Sequence, residues 1–270
     1  LEEGRLRVER HDAVALIVFE DPERRNAMTE AMGRALASVL AQLGGDETVR
    51  AVVLTGAGAA FSAGGDLAMI EQKARAGRAA PGEPARTANR DFMRSFYELF
   101  LSIRDLPQPS LAAIQGAAIG AGLAVALACD LRIAARDARL GLNFTRLGIH
   151  PGMGSSWTLP RLVGSAHAAD LLLTGRTLDG CEAERIGLVN RAVARDEVLA
   201  QTLAMAAEIA ACAPVAVRGT KRALAHSLTA SLDEQLDFEA DQQALCYETE
   251  DLGEGLAAAR ERRPARFTGR

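Results

Sequence analysis

Aromatic side chains are scarce in this chain: eight Phe, two Tyr and one Trp in 270 residues. Stacking platforms for bases or sugars are correspondingly few. The four histidines do not cluster, and Cys129, Cys181, Cys212 and Cys246 show no C-x-x-C spacing. That pattern excludes a structural zinc site, and no other metal site is expected. Cys129 lies in an apolar run and reads as a small core residue, and the other three read as free thiols in a reducing compartment. No apolar run is long enough to span a bilayer and no leader pattern opens the sequence, so the expectation is a cytoplasmic protein without a membrane. Positive charge is not in excess either. Lys and Arg number 31 against 35 Asp and Glu, a net charge of −4, which argues against a general nucleic-acid binder.

What is present is an ordinary globular composition, 49% hydrophobic and 24% charged. It suits one large domain or a core with an appendage. Leu6–Val8 and Ala13–Phe19 predict a hairpin turning at His11-Asp12. Met32, Ala35, Leu36, Val39, Leu40 and Leu43 recur at helical spacing behind Thr29, a candidate N-cap, and Gly44-Gly45 ends that helix. Arg50–Thr55 predicts a short buried strand. Leu111–Ile114, a glycine turn, a helix over Leu123–Cys129 and a strand over Asp130–Ala134 repeat the later parts of that unit. Strands alternating with helices indicate an α/β core.

Glu71–Arg94 differs, with Lys73, Arg75, Arg78, Arg86, Arg90 and Arg94 around Pro81-Gly82-Glu83-Pro84. It reads as a mobile, mildly basic surface loop. From Asp196 the strands stop. Val198–Cys212, Pro214–Leu228, Leu232–Tyr247 and Gly253–Arg263 predict four helices, a tail long enough to pack on a neighbouring subunit.

The most informative stretch is Ile114–Asp130, IQGAAIGAGLAVALACD. A strand passes through Gly116, Gly120 and Gly122 into a helix start, which leaves backbone N–H groups facing outward with a helix dipole behind them. No side chain in the run can do acid–base or nucleophilic work. Any catalysis there belongs to the backbone.

Together with Ala60-Phe61-Ser62-Ala63-Gly64-Gly65-Asp66-Leu67, this stretch resembles the crotonase (enoyl-CoA hydratase/isomerase) superfamily. Arg24–Met28, Leu147–Gly154, Leu159–Gly164, Leu173–Arg176 and the end of the chain from Glu254 to Phe267 extend the resemblance almost from end to end. It implies a spiral of ββα units over 1–195 and a helical trimerisation region over 196–270, in a homotrimer or a dimer of trimers. It also implies an acyl-CoA thioester as ligand, no cofactor beyond that CoA, and an oxyanion hole made of two backbone N–H groups. By motif match these belong to Gly65 and Ala121, the latter standing where most relatives have Gly.

The same resemblance places two hydratase glutamates at positions that here hold Ala124 and Phe144. The aspartate that some relatives carry near the P-G-x-G turn falls on Gly152 or Met153. Every acidic position carried over is therefore empty. His150 sits in the right turn to titrate near neutral pH. Asp66 and Glu71 follow the first donor, and Asn143, Thr145 and Trp157 flank the second glutamate position, where they would shape the acyl pocket. Asp130 matches a structural Cys-Asp pair. CoA contacts are expected from Arg24, Ala27, Ala63, Asp66 and Leu67, with Arg25 next and Arg262 and Arg263 reaching a neighbour's CoA. Isomerase- or decarboxylase-type chemistry is expected over hydration. The alternatives are a non-catalytic CoA-thioester scaffold, a hydratase with substitute residues and, against the net charge, an RNA binder that uses the basic segment.

Overall fold

The computed structural model describes residues 5–270. It opens with β1 (Leu6–His11) and β2 (Val14–Phe19), an antiparallel hairpin in which His11 and Val14 form the last rung. The turn therefore sits one residue later than expected, with Asp12 at φ 51°. Helix α1 (Glu30–Gly45) is capped by Thr29, whose hydroxyl accepts from Met32 N at 3.2 Å. β3 (Ala51–Gly56) and β4 (Ala60–Ser62) follow, then helices α2 (Leu67–Ala79) and α3 (Glu83–Leu101).

Glu71–Arg94, expected as a loop, is thus almost entirely helical. Pro84 falls in the first turn of α3, where a missing N–H costs nothing, so the proline-rich punctuation starts a helix. Arg75–Glu71, Arg86–Glu83 and Arg94–Glu98 pair along the helix faces, which absorbs much of the positive charge.

β5 (Ser110–Ile114), β6 (Ala117–Ile119) and α4 (Ala121–Ala128) come next. They lead to β7 (Leu131–Ala135), β8 (Leu140–Gly141) and α5 (Ser155–Thr174), which breaks at Gly164. β9 (Thr177–Leu178), α6 (Gly180–Arg185) and β10 (Arg191–Val193) close the strand-bearing part. The larger sheet has the order β1-β2-β3-β5-β7-β10 and the smaller one β4-β6-β8-β9. β3/β4, β5/β6 and β7/β8 each send their first strand to the large sheet and their second to the small one. That repeated step is the ββα spiral, and every pairing in it from β2 to β8 is parallel. All six residues of β2 and of β3 are buried, as parallel strands covered on both faces must be. All eight residues of α4 are buried too. A helix apolar on every side belongs inside.

The chain ends with α7 (Val198–Ala210), α8 (Pro214–His226), α9 (Leu232–Tyr247) and α10 (Glu250–Glu261). α7 packs across β3, β5 and β7, so the helices standing away from the sheets begin at Pro214. Lys221 ties α8 to the core, with its Nζ 2.8 Å from Asp130 Oδ2 and 2.9 Å from Gln108 O. Leu232, Leu236, Leu245, Tyr247 and Leu256 remain exposed on α9 and α10. No single helix among the described residues is long and apolar enough to cross a membrane.

Candidate active site

The spiral brings the two glycine loops together. β4 and β6 pair through Ala60 with Ala117 and Ser62 with Ala118, so the loops leaving them run side by side. A Cβ built on Gly64 would lie 2.5 Å from Ile119 O and 3.5 Å from Ala121 N, and one on Gly122 would lie 2.7 Å from Ser62 Cβ. Any side chain at these positions would push the loops apart.

The first loop is laced to the Arg24–Met28 segment. Met28 N donates to Gly64 O at 2.8 Å, Asp66 N to Met28 O at 3.1 Å, and Ala63 N to Arg25 O at 2.9 Å. Ser62 Oγ donates to Asn26 O at 2.8 Å and accepts from Gly64 N at 3.1 Å. Asn26 is itself buried; its Nδ2 donates to Ala57 O and Ala60 O, and its Oδ1 accepts from Asp21 N. With the neighbouring groups so engaged, the N–H groups of Gly65 and Ala121 have no hydrogen-bond partner among the described residues. Ala121 opens α4, and Gly120 before it offers no side-chain cap. Its N–H is therefore one of the open first-turn donors, at the positive end of the helix dipole.

The left-handed backbone falls on Gly64 (φ 93°) and Gly120 (φ 53°), and neither Gly65 nor Ala121 has positive φ. This is why alanine fits at 121. The strain that demands glycine sits one residue earlier.

Ala124 and Phe144 put apolar side chains near these donors, with the Asn143 amide beside them. Ala124 is 3% exposed, one turn into α4, and its N–H bonds Gly120 O at 3.1 Å. Phe144 lies in a single 3-10 turn, Asn143–Leu147, with its ring 3.9 Å from where a Gly120 Cβ would stand; Asn143 Oδ1 is 3.4 Å from the same point. Asp66 is the N-cap of α2, accepting from Met69 N at 2.9 Å, and its other oxygen lies 3.5 Å from Arg24 Nη1. Arg24 also pairs with buried Asp21 at 2.7 Å. Arg24, Ala27, Ala63 and Asp66 are thus gathered at one edge of the loop pair, with Leu67 beside them, 70% exposed.

Other candidates are placed less centrally. His150 is exposed and its Nδ1 meets Pro151 O at 2.8 Å, a local turn contact. Glu71 is exposed and pairs with Arg75. Thr145 Oγ1 donates to Leu172 O at 3.1 Å. Trp157, expected near the acyl pocket, instead lies in a groove beneath α8, with Arg161 at 4.1 Å and Arg104 at 5.0 Å from its ring centre. The groove it lines meets α4 at Leu127 and Ala128, the end away from the Ala121 donor. Arg263 forks onto Glu254 at 2.6 and 2.8 Å. Asp130 accepts from Ser110 N and Oγ as well as from Lys221. Burial, with Asp130 adding to it, pushes the Cys129 thiol up to about 12.

One side chain at this site escaped the sequence reading. Tyr97 on α3 brings its hydroxyl to Gly152, where a Cβ would lie 2.8 Å from Tyr97 Cζ. Burial raises its pKa above the ordinary phenol value. Its signal, one of only two tyrosines, lay three residues past the stretch taken as a loop, in a segment to which the pattern assigned no element.

A spiral of ββα units that holds two open backbone donors against an apolar wall defines a protein of the crotonase superfamily. The family model described as enoyl-CoA hydratase/isomerase matches residues 9–270. The 1,2-epoxyphenylacetyl-CoA isomerase of Escherichia coli is 36% identical over 258 residues, 95% of each chain. Bos taurus enoyl-CoA hydratase domain-containing protein 2, mitochondrial, is 37% identical over 264 residues, 96% of this chain and 86% of the relative. Among solved structures, an enoyl-CoA hydratase from Bacillus anthracis superposes with a TM-score of 0.88 at 34% identity, covering 98% of this chain and 100% of that one. This chain belongs to the enoyl-CoA hydratase/isomerase family of acyl-CoA-processing enzymes.

Proposed function

We propose that the protein stabilises the enolate of an acyl-CoA thioester between the N–H groups of Gly65 and Ala121, and that it isomerises or decarboxylates its substrate in preference to hydrating it. The observation that carries this reading is the pairing of two unengaged backbone donors with an apolar wall. Preorganised donors aimed at a developing oxyanion are worth several kcal/mol in a site that excludes water. Hydration, by contrast, needs carboxylates to hold and split a water, and Ala124 and Phe144 supply none. The isomerase relative, at 36% identity, shows that proteins this similar to the chain include one named for isomerisation. Decarboxylation produces the enolate without a base, and isomerisation only relocates a proton. The chemistry calls for no cofactor beyond the CoA of the substrate. CoA would approach along Arg24, Ala27, Ala63, Asp66 and Leu67, where a cationic side chain suits its phosphates.

The test is a mass-spectrometric screen of enoyl-, dienoyl-, malonyl-type and hydroxyacyl-CoA thioesters in deuterated water. Deuterium entering α to the thioester is the expected result, with slow or absent crotonyl-CoA hydration. Hydration of crotonyl-CoA at about 10 per second, a typical enzyme rate, would overturn the preference. A second reading, a CoA-thioester scaffold, draws on the same apolar wall. It prevails if acyl-CoA binds, Gly65→Pro abolishes the binding, and no thioester in the panel is turned over.

The apolar residues exposed on α9 and α10 support a homotrimer or a dimer of trimers. Light scattering behind size exclusion should give a mass of three or six chains. A monomer at micromolar concentration would refute it.

A further inference from the structure

The proposed chemistry needs a proton at carbon, and the polar side chains lining the two donor loops are nearly all engaged elsewhere. Ser62 serves Asn26 O and Gly64 N, Asp66 caps α2, Ser155 Oγ donates to Gly152 O at 2.6 Å, and His150 meets Pro151 O. The Asn143 amide, 3.4 Å from where a Gly120 Cβ would stand, and the Tyr97 hydroxyl at Gly152 have no hydrogen-bond partner among the described residues. An amide orients a ligand but does not give up a proton at neutral pH. Tyrosine does.

Its placement is set by α3. Phe96 and Phe100 are buried, and a Cβ on Gly33 of α1 would touch Phe100, so this side of α3 faces α1. Tyr97 follows Phe96 by 100° around the helix and points instead at the Gly152 turn. That turn lies just beyond the segment in which Ile149 N bonds Phe144 O at 3.0 Å, and Phe144 in turn covers Gly120. α3 also packs on α4, which begins with the Ala121 donor. Only a glycine at 152 leaves room for the phenol. A phenol is protonated at neutral pH, the form a donor must have, and burial shifts its pKa further up.

We propose that the Tyr97 hydroxyl is the proton donor of the acyl site, touching the acyl group bound at Gly65 and Ala121 and protonating the carbon that carries the enolate charge. As the thioester carbonyl re-forms, the enolate electron pair makes the new C–H bond to the Tyr97 proton. The O–H electron pair stays on the phenolate oxygen, which then takes a proton from water. The step runs downhill, because the carbon acid of a thioester is much weaker than a phenol. The proposal rests on the enolate reading above.

The test uses the full chain and whichever thioester the screen shows to be turned over, in deuterated water. Tyr97→Phe should lower kcat about a hundredfold with little change in KM, in line with the usual contribution of a general acid. Deuterium, delivered by the wild type to one face of the α-carbon, should enter both faces in the variant. Gly152→Ala keeps the hydroxyl but displaces the ring, and should scramble the faces in the same way. It also serves if Tyr97→Phe fails to fold, which thermal melting would show. Unchanged kcat and single-face delivery in the folded variants would overturn the role of Tyr97 while leaving the enolate reading intact. A wild-type protein that labels no thioester would overturn both.

Discussion

At the scale of single residues, the demanding position in the first loop is Gly64 and not the donor Gly65. Gly64 has φ 93° and no space for a Cβ, whereas a Cβ on Gly65 would meet only Ile70 Cδ1 at 3.5 Å and Met69 Cε at 3.9 Å, ordinary contact distances. Gly64→Ala should therefore destabilise the protein by about 1–3 kcal/mol from backbone strain alone, measured by urea unfolding. Gly65→Ala should leave both stability and acyl-CoA turnover near wild type, because the N–H survives. Gly65→Pro removes that N–H and no native hydrogen bond, and should cost about 10²–10³ in kcat. Equal turnover by Gly65→Pro and Gly65→Ala would remove Gly65 from the site. The cysteines offer an independent check. Cys181 and Cys212 are exposed, whereas Cys129 is buried with its thiol raised to about 12. Alkylation of the native protein at pH 8 should label the first two and spare Cys129 until the chain is unfolded.

At the scale of elements, the spiral depends on close approach between successive turns. A Cβ on Gly116 would overlap Ala59 O and come 3.0 Å from Ala59 C, both backbone atoms that cannot swing aside. Gly116→Ala should thus loosen β6 from the segment entering β4 and lower stability by at least about 1–3 kcal/mol, the usual range for overpacking. Because β6 also aims the Ala121 donor, turnover should fall with it. A variant with wild-type melting would show that the loops relax more freely than their packing implies. The elements legible in the sequence were those with a strong internal pattern: β2, β3, α1 with its Thr29 cap, and the tail helices. β4, β8 and β9 are two or three residues long. No periodicity exists at that length, so their pairing is decided by neighbours. α2 and α3 were hidden by charge and proline, and Tyr97 was hidden with them.

At the scale of the whole molecule, the C-terminal segment is fastened back onto the body. Arg50 donates to Phe267 O at 2.6 Å, and Asp251 accepts from Thr268 N and Gly269 N. Glu254 forks onto Arg263 and accepts from Arg266 N, and these bonds lower its pKa from 4.5 to about 2. A depressed carboxylate stabilises the docked form above pH 4.5 and loses that effect as pH falls through about 2. Protection of the last residues against amide exchange should decline across that window, and Glu254→Gln should remove this part of the dependence. Protection that stays constant from neutral pH down to about pH 2 would show that Asp251 and Arg50 suffice.

By itself the sequence determined the α/β class, the family resemblance, the two backbone-donor loops and the apolar residues at positions 124 and 144. Each of these is written locally, in side-chain type, glycine spacing or a repeating apolar face. Tertiary structure alone decided which glycine carries the left-handed turn. It also placed Trp157 in the groove beneath α8, gave His150 a local contact, and set Tyr97 against Gly152. These are contacts between segments tens of residues apart, fixed by how the ββα turns stack, and a one-dimensional pattern carries no record of them. The Ile114–Asp130 stretch shows both parts: its open N–H at Ala121 was readable from the chain, whereas its partner at Gly65 stands beside it because β4 pairs with β6.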